Sequence, residues 1–103
     1  MDKLEMICFE IITNVGSAKS YFIEAIALAK QGKFLEAENS IKEGDEAFKK
    51  GHHAHTQLIQ EEAGGEHVPI SLVLLHAEDQ LMSADGFKII ALEFIDLYKK
   101  ILN

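Results

Sequence analysis

The sequence lacks arginine and has only one cysteine, and each shortage excludes some classes of function or structure. All ten basic residues are lysines, against 17 aspartates and glutamates, which gives a formal net charge of −7. An acidic chain without arginine is a poor candidate for binding nucleic acid, whose backbone is bound by basic side chains. It also lacks the planar guanidinium group that clamps a phosphate in a bidentate manner. We therefore expect no nucleic-acid partner. The single cysteine, Cys8, excludes a disulfide within the chain and is typical of a reducing compartment.

Long apolar runs are missing as well. No uninterrupted run reaches the ~18 residues of a membrane span, and the acidic residues Asp2 and Glu5 are unlike the basic start of a signal peptide. We expect a cytoplasmic protein with no segment inserted in a membrane. The 103 residues are enough for one domain, over residues 1–103.

What the sequence does have is helical periodicity. In three long segments, apolar residues recur at alternating spacings of three and four, and strand-like alternation is nowhere sustained. Gly32 and the pair Gly64-Gly65 suit helix ends, and Pro69 suits the first turn of the helix that follows. The sequence therefore predicts an all-α fold, an antiparallel up-down-up bundle of three helices. The helices are expected at about residues 2–31, 33–63 and 69–102.

The same spacing predicts which side of each helix faces the core. On the first helix that side comprises Leu4, Cys8, Ile11, Val15, Ala18, Phe22, Ala25 and Ala29. On the second it comprises Phe34, Ala37, Ile41, Gly44, Phe48, Gly51, His55 and Leu58. On the third it comprises Leu72, His76, Asp79, Ser83, Gly86, Ile90, Phe94, Leu97 and Ile101.

The first and third helices carry more apolar surface than a monomeric three-helix bundle can cover. A surface helix normally shows one apolar stripe, with polar residues on the rest of its circumference. Surplus apolar surface must be covered, and the simplest cover is another copy of the same chain. We therefore expect a homo-oligomer.

His76 and Asp79 are the residues whose placement is most informative. They are three residues apart and share one side of the third helix, the side predicted to be apolar. Burying an imidazole and a carboxylate is costly unless each finds a partner. The pair is therefore either a structural hydrogen bond or a functional site. Spacing alone does not choose among a general base, a covalent nucleophile and a metal ligand for His76.

A second histidine group, His52-His53-Ala54-His55, offers a weaker candidate site. A metal site needs three or four ligands in fixed geometry, and the sequence has neither a cysteine pair nor a His-Glu-x-x-His arrangement. A small metal-binding bundle is therefore disfavoured. Cys8 lies among core-facing apolar residues, so it is interpreted as a small core residue and not as a nucleophile.

The segment around His76 resembles a known family. Its stretch Leu75-His76-Ala77-Glu78-Asp79-Gln80-Leu81-Met82 is similar to the His-(Gly/Ala)-Gln-Asp-His-Leu-Met stretch of the lactose/cellobiose-type IIA component of the bacterial phosphoenolpyruvate-dependent sugar phosphotransferase system. Further likeness lies in Gly16–Ser20, His52, Thr56–Ala63 and Phe94–Lys100, so it covers nearly the whole chain. Two departures stand out. Gln80 replaces a frequent histidine, and His55 replaces a usual glutamine.

The resemblance implies a phosphocarrier. His76 would accept a phosphoryl group from the phosphocarrier HPr and pass it to a cysteine of a IIB component, during uptake of a β-glucoside, cellobiose, chitobiose or lactose. It also implies a homotrimer in which Asp79 of three copies meets near the axis and binds a divalent cation, usually Mg²⁺. Gln80, His55 and Gln57 would support the phosphoacceptor. The alternative is a non-catalytic helical module that holds partner proteins.

Overall fold

Three long helices make up nearly all of the described chain. A computed structural model describes residues 1–102, with helices α1 (Lys3–Lys30), α2 (Phe34–Ala63) and α3 (Leu72–Leu102). No strand occurs within these residues, and the bundle measures 54 × 22 × 20 Å. The predicted all-α, three-helix architecture is confirmed. Within the same residues, no helix has an apolar stretch long enough to cross a membrane.

The end of α1 is set by a glycine in a left-handed conformation. Gly32 has φ +75°, which side chains with a Cβ rarely adopt, and its N–H donates to the Ala29 carbonyl. Only Gln31, Gly32 and Lys33 separate α1 from α2, so the chain must reverse at once. Short connections of this kind make neighbouring helices antiparallel. The helix end predicted at Gly32 from the sequence is confirmed.

The core lies along one side of α1, the central helix of the bundle. Its predicted core-facing side is confirmed, because all but Leu4 of the residues expected there are buried, and Leu4 packs against the core while partly exposed. Most of the predicted side of α2 is buried too, namely Ala37, Ile41, Gly44, Gly51 and Leu58. The core therefore follows the three-and-four spacing on both helices.

The predicted core-facing side of α3 is wrong. The residues that α3 buries are Leu74, Ala77, Leu81, Ala84, Ala91 and Ile95. The side expected to be buried points outward instead, and Leu72 is 82% exposed. The reason is that α3 has two apolar sides with the same helical spacing. Small alanines on the inner side let the helix lie close to α1, while the larger aliphatic residues, which dominate the sequence pattern, lie outside.

The start of α3 also differs from the expectation. The helix begins at Leu72, three residues after Pro69. The Leu74 N–H donates to Ser71 Oγ at 3.1 Å, and the Leu75 N–H donates to the Ser71 carbonyl at 3.0 Å. A serine that satisfies a free N–H of the first turn is a strong helix start, and here it takes precedence over the proline. Gly86 does not break α3, which is continuous to Leu102.

Helices α2 and α3 touch each other much less than either touches α1. Their contact carries a series of cross-helix contacts between basic and acidic side chains. Along the pair of helices these are Glu38–Lys99 (2.7 Å), Asp45–Lys88 (2.8 Å) and His55–Glu78 (2.8 Å). The boundary between α2 and α3 is thus held by polar contacts, whereas α1 supplies the apolar ones.

Close packing of α1 and α2 depends on glycine at position 44. A Cβ at Gly44 would lie 2.4 Å from a ring carbon of Phe22, which is fully buried. We predict that Gly44→Ala lowers the free energy of unfolding by ~1–3 kcal/mol, because overpacking outweighs the gain in helix propensity. Urea denaturation monitored by circular dichroism measures the change.

Gly16→Ala is the matched control, because a Cβ there meets no atom within 4 Å. Its unfolding free energy should be equal to or above that of the parent chain, since alanine favours the helix by about 1 kcal/mol. Equal stability of the two alanine variants would contradict the packing of α1 on α2.

Candidate functional site

The imidazole of His76 is exposed on the second turn of α3. The predicted burial of His76 is therefore wrong for the single chain. Within residues 1–102 the ring forms no hydrogen bond and no ion pair, so the structural pairing with Asp79 that the spacing allowed is not formed. An unpaired, exposed imidazole is available as a nucleophile.

The start of α3 weakly favours a negatively charged group near His76. Leu72 is the first residue of the helix, so His76 lies about 6 Å along the axis from it. The free N–H groups of the first turn and the helix dipole favour an anion at this end. The dipole acts mainly within the first turn, so its contribution at His76 is modest.

Gln80 lies one turn beyond His76 and is half-buried. Residues four apart on a helix are neighbours on its surface. A primary amide donates and accepts hydrogen bonds, so Gln80 is able to donate to an oxygen of a group attached to His76. Unlike a histidine at this position, it cannot carry positive charge.

Asp79 lies on an exposed apolar surface that we name the outer face of α3. This face consists of Leu72, Leu75, Asp79, Met82, Gly86, Ile89, Ile90, Leu97 and Ile101. Its large side chains are all about half or more exposed. A carboxylate surrounded by unpartnered aliphatic side chains is unusual on a surface that stays in water.

A metal site at Asp79 requires more than one copy of the chain. Among residues 1–102, no three His, Cys, Asp or Glu side chains converge so as to hold a metal ion. Asp79 supplies a single carboxylate in each copy. The donor chemistry fits a hard divalent cation, which takes oxygen ligands, and the position of Asp79 on the outer face of α3 allows several copies to contribute one ligand each.

His55 of α2 pairs with α3 beside the turn that carries His76. Its Nε2 lies 2.8 Å from Glu78 Oε2, and the two side chains are 19% and 34% exposed. The His52 ring follows at 6.3 Å between ring centroids and lies against Phe48 at 6.2 Å. His55 therefore contacts the helix of the phosphoacceptor candidate through Glu78.

Gln57 lies elsewhere on α2. It lines an open cavity together with Lys3, Gln60 and Glu61, where Lys3 and Glu61 form an ion pair at 3.0 Å. His76 is not among the residues that line this cavity. Of the supporting residues expected from the sequence, Gln80 and His55 thus lie near the turn of His76, and Gln57 faces α1.

Cys8 is buried in the core, as predicted. Its side chain is 1% exposed, and burial is the main cause that raises the pKa of its thiol, followed by the negative charge of Glu78. A raised pKa keeps the thiol protonated, and the thiolate is the reactive form. Cys8 is therefore a core residue without a nucleophilic function.

Sequence reasoning missed two residues at this site, Ser71 and Glu78. Ser71 stands immediately before the apolar run of α3, a pattern that marks a helix start, but the proline two residues earlier obscured it. No local sequence pattern marks Glu78 as a residue of this site. Its partner His55 is 23 positions away, and only the packing of α2 on α3 brings them together.

Comparison with known sequences finds one family along nearly all of the chain. A family model described as "PTS system, Lactose/Cellobiose specific IIA subunit" matches residues 6–99. Among curated proteins, the lichenan-specific phosphotransferase enzyme IIA component of Bacillus subtilis (strain 168) is 44% identical over 100 residues. That match covers 97% of this chain and 91% of the relative.

Solved structures of similar sequence have the same fold. The PTS cellobiose-specific enzyme IIA from Bacillus anthracis superposes with a TM-score of 0.96 at 48% identity, covering 98% of this chain and 93% of that one. The IIA(chitobiose) chain in its complex with HPr, from the Escherichia coli phosphotransferase system, gives a TM-score of 0.85 at 32% identity and covers both chains completely.

The first turn of α3 depends on the cap at Ser71. We predict that Ser71→Ala lowers the free energy of unfolding by about 1 kcal/mol and lets the first turn fray, because the Leu74 N–H loses its acceptor. Amide hydrogen exchange at Leu74 and Leu75 measures the fraying. Ser71→Asp, which keeps an acceptor oxygen, should retain protection; equal exchange in both variants would contradict the cap.

Proposed function

The chain belongs to the lactose/cellobiose-specific IIA family of the sugar phosphotransferase system, and from this premise we propose that His76 is the residue that carries the phosphoryl group. A member of this family is a phosphotransferase, a phosphocarrier that holds the group between two other proteins. The observation that supports His76 is its exposed imidazole, unpaired within residues 1–102, at the start of α3.

The transfer consists of two displacements at the same phosphorus. In the first, the lone pair of an unprotonated imidazole nitrogen of His76 attacks the phosphorus of the donor. The new P–N bond forms as the bond to the donor breaks, and the donor leaves with that electron pair. In the second, a thiolate of the acceptor attacks, a P–S bond forms as the P–N bond breaks, and the imidazole of His76 leaves with the electron pair of that bond. Such reactions need alignment and charge stabilisation more than other chemistry from the protein.

HPr is the proposed donor, and a cysteine of a IIB component is the proposed acceptor. One of the similar solved structures is that of a IIA(chitobiose)–HPr complex, which supports the first of these. Two proteins that use the same nitrogen in turn must each reach it from solvent. An imidazole on an exposed helix turn meets this requirement, whereas one in a closed cavity does not.

We also propose that the protein is a homotrimer whose Asp79 carboxylates share a divalent cation, with Mg²⁺ the expected ion. The outer face of α3 supplies apolar surface for contact between copies. Carboxylates brought together repel one another, and a cation with oxygen ligands relieves the repulsion. The cation would hold the assembly together.

Gly86 supports close contact between copies at the outer face of α3. A Cβ at Gly86 meets no atom of the chain within 4 Å, so packing within one copy does not require glycine. A glycine inside a helix costs about 1 kcal/mol relative to alanine. Gly86 lies seven residues, two turns, after Asp79 on the same face, and close approach of a neighbouring helix gives a reason for it.

The proposed physiological process is uptake of a β-glucoside or cellobiose, with chitobiose and lactose as further candidates. The similar proteins are named for lichenan, cellobiose and chitobiose. Because the IIA component exchanges a phosphoryl group with proteins, sugar specificity lies with those partners. We propose that the protein works in the cytoplasm.

His76→Ala tests the phosphoacceptor. We predict that incubation with Enzyme I, HPr and labelled phosphoenolpyruvate attaches one phosphoryl group to each chain, and that His76→Ala attaches none because the nucleophile is gone. His53→Ala, at an exposed histidine of α2, is the control and should be labelled like the parent. Undiminished labelling of His76→Ala would contradict the proposal. A parent chain that never takes up label would favour the non-catalytic interaction module.

Asp79→Leu tests the shared cation. We predict that chelator dissociates the parent trimer, because three carboxylates repel without a cation, and that the Asp79→Leu trimer resists chelator, because leucine adds apolar contact instead. Sedimentation with and without chelator measures both. A parent chain that is monomeric in both conditions would overturn the axial site.

A further inference from the structure

We propose that His55 and Glu78 form a positioning pair, which holds the amino-terminal part of α3 against α2 in the placement that His76 needs for phosphoryl transfer. This inference rests on the proposed function of His76. It assigns no contact with the phosphoryl group to either residue. Their function is to fix where the imidazole of His76 stands when a partner docks.

The contact is short and partly shielded from water. His55 Nε2 and Glu78 Oε2 are 2.8 Å apart, and the His55 side chain is only 19% exposed. Polar contacts gain strength as water is excluded from them, whereas fully exposed pairs contribute little. Glu78 is two residues after His76, about 3 Å along the helix axis. A change in the position of Glu78 is therefore transmitted directly to His76.

The contact between His55 and Glu78 lies far from the other polar contacts that join α2 and α3. Among residues 1–102, three contacts between basic and acidic side chains link α2 and α3, and His55–Glu78 lies nearest the start of α3. The next, Asp45–Lys88, is ten residues farther along α3, about 15 Å away. On the other side of His76, the chain enters from the irregular segment 64–71. The apolar side of this part of α3 packs in the core with α1 and α2, and the pair adds a direct polar contact between α2 and α3, which otherwise touch much less than either touches α1.

The rate of phosphoryl transfer depends on where the attacking nitrogen of His76 stands relative to the phosphorus. In-line displacement at phosphorus needs the attacking nitrogen within a narrow range of distance and angle. A partner protein binds a broad surface, so a small displacement of α3 leaves binding nearly intact. Loss of the pair should therefore lower kcat for transfer to His76 and leave KM for the donor nearly unchanged.

The test compares two polar contacts between the same helices, His55–Glu78 and Asp45–Lys88. We predict that His55→Ala lowers kcat for transfer from phosphorylated HPr about tenfold and changes KM less than about twofold, and that Glu78→Ala does the same. Asp45→Ala removes a pair of equal length far from His76 and should leave kcat within about twofold of the parent. The double variant His55→Gln/Glu78→Gln should restore kcat to within about threefold, because two primary amides can hydrogen-bond to each other across the helices.

Two outcomes would overturn the positioning function. One is that Asp45→Ala and His55→Ala reduce kcat alike, since a general loss of helix packing would then explain both. The other is that the double glutamine variant stays as slow as the single alanine variants. Either result leaves labelling at His76 intact, whereas failure of the proposed function itself would appear as a parent chain that accepts no phosphoryl group.

Discussion

The structure depends on the fact that α3 is apolar on two opposite sides. The inner side, with alanines at 77, 84 and 91, packs closely on the buried side of α1. The outer side exposes large aliphatic residues around Asp79. Because one helix can cover only one side of α3, the bundle is complete as a fold yet leaves an uncovered apolar surface. The proposed assembly of several copies along this surface would account for both the aliphatic residues and the carboxylate among them.

His76 stands beside this surface and is exposed in the single chain, and that placement suits a carrier. A group that passes from one protein to another must be reachable twice, so the residue that holds it cannot be enclosed. Exposure has a cost, since a side chain on a helix end is poorly fixed. The Ser71 cap orders the turn before His76, and the pair His55–Glu78 ties the turn after it to α2. Accessibility and fixed position are thus provided by different residues.

The sequence was sufficient to predict the number of helices, their order and the buried side of α1, because α1 places its buried residues at one regular spacing. It was insufficient for α3, where both sides satisfy the same spacing and the larger residues lie outside. Pro69 suggested a helix start that Ser71 takes instead. His76, Asp79 and Gln80 came from a local motif. The contact between His55 and Glu78 depends on packing between helices, which no local pattern contains.

The phosphoacceptor assignment is tested most directly by locating the modification on the unaltered protein. The chain is incubated with Enzyme I, HPr and phosphoenolpyruvate, kept at a pH where phosphohistidine survives, and sequenced by tandem mass spectrometry. We expect one phosphoryl group per chain, on the peptide that contains His76 and on that residue. A phosphoryl group on any of the other four histidines, or none at all, would contradict the account.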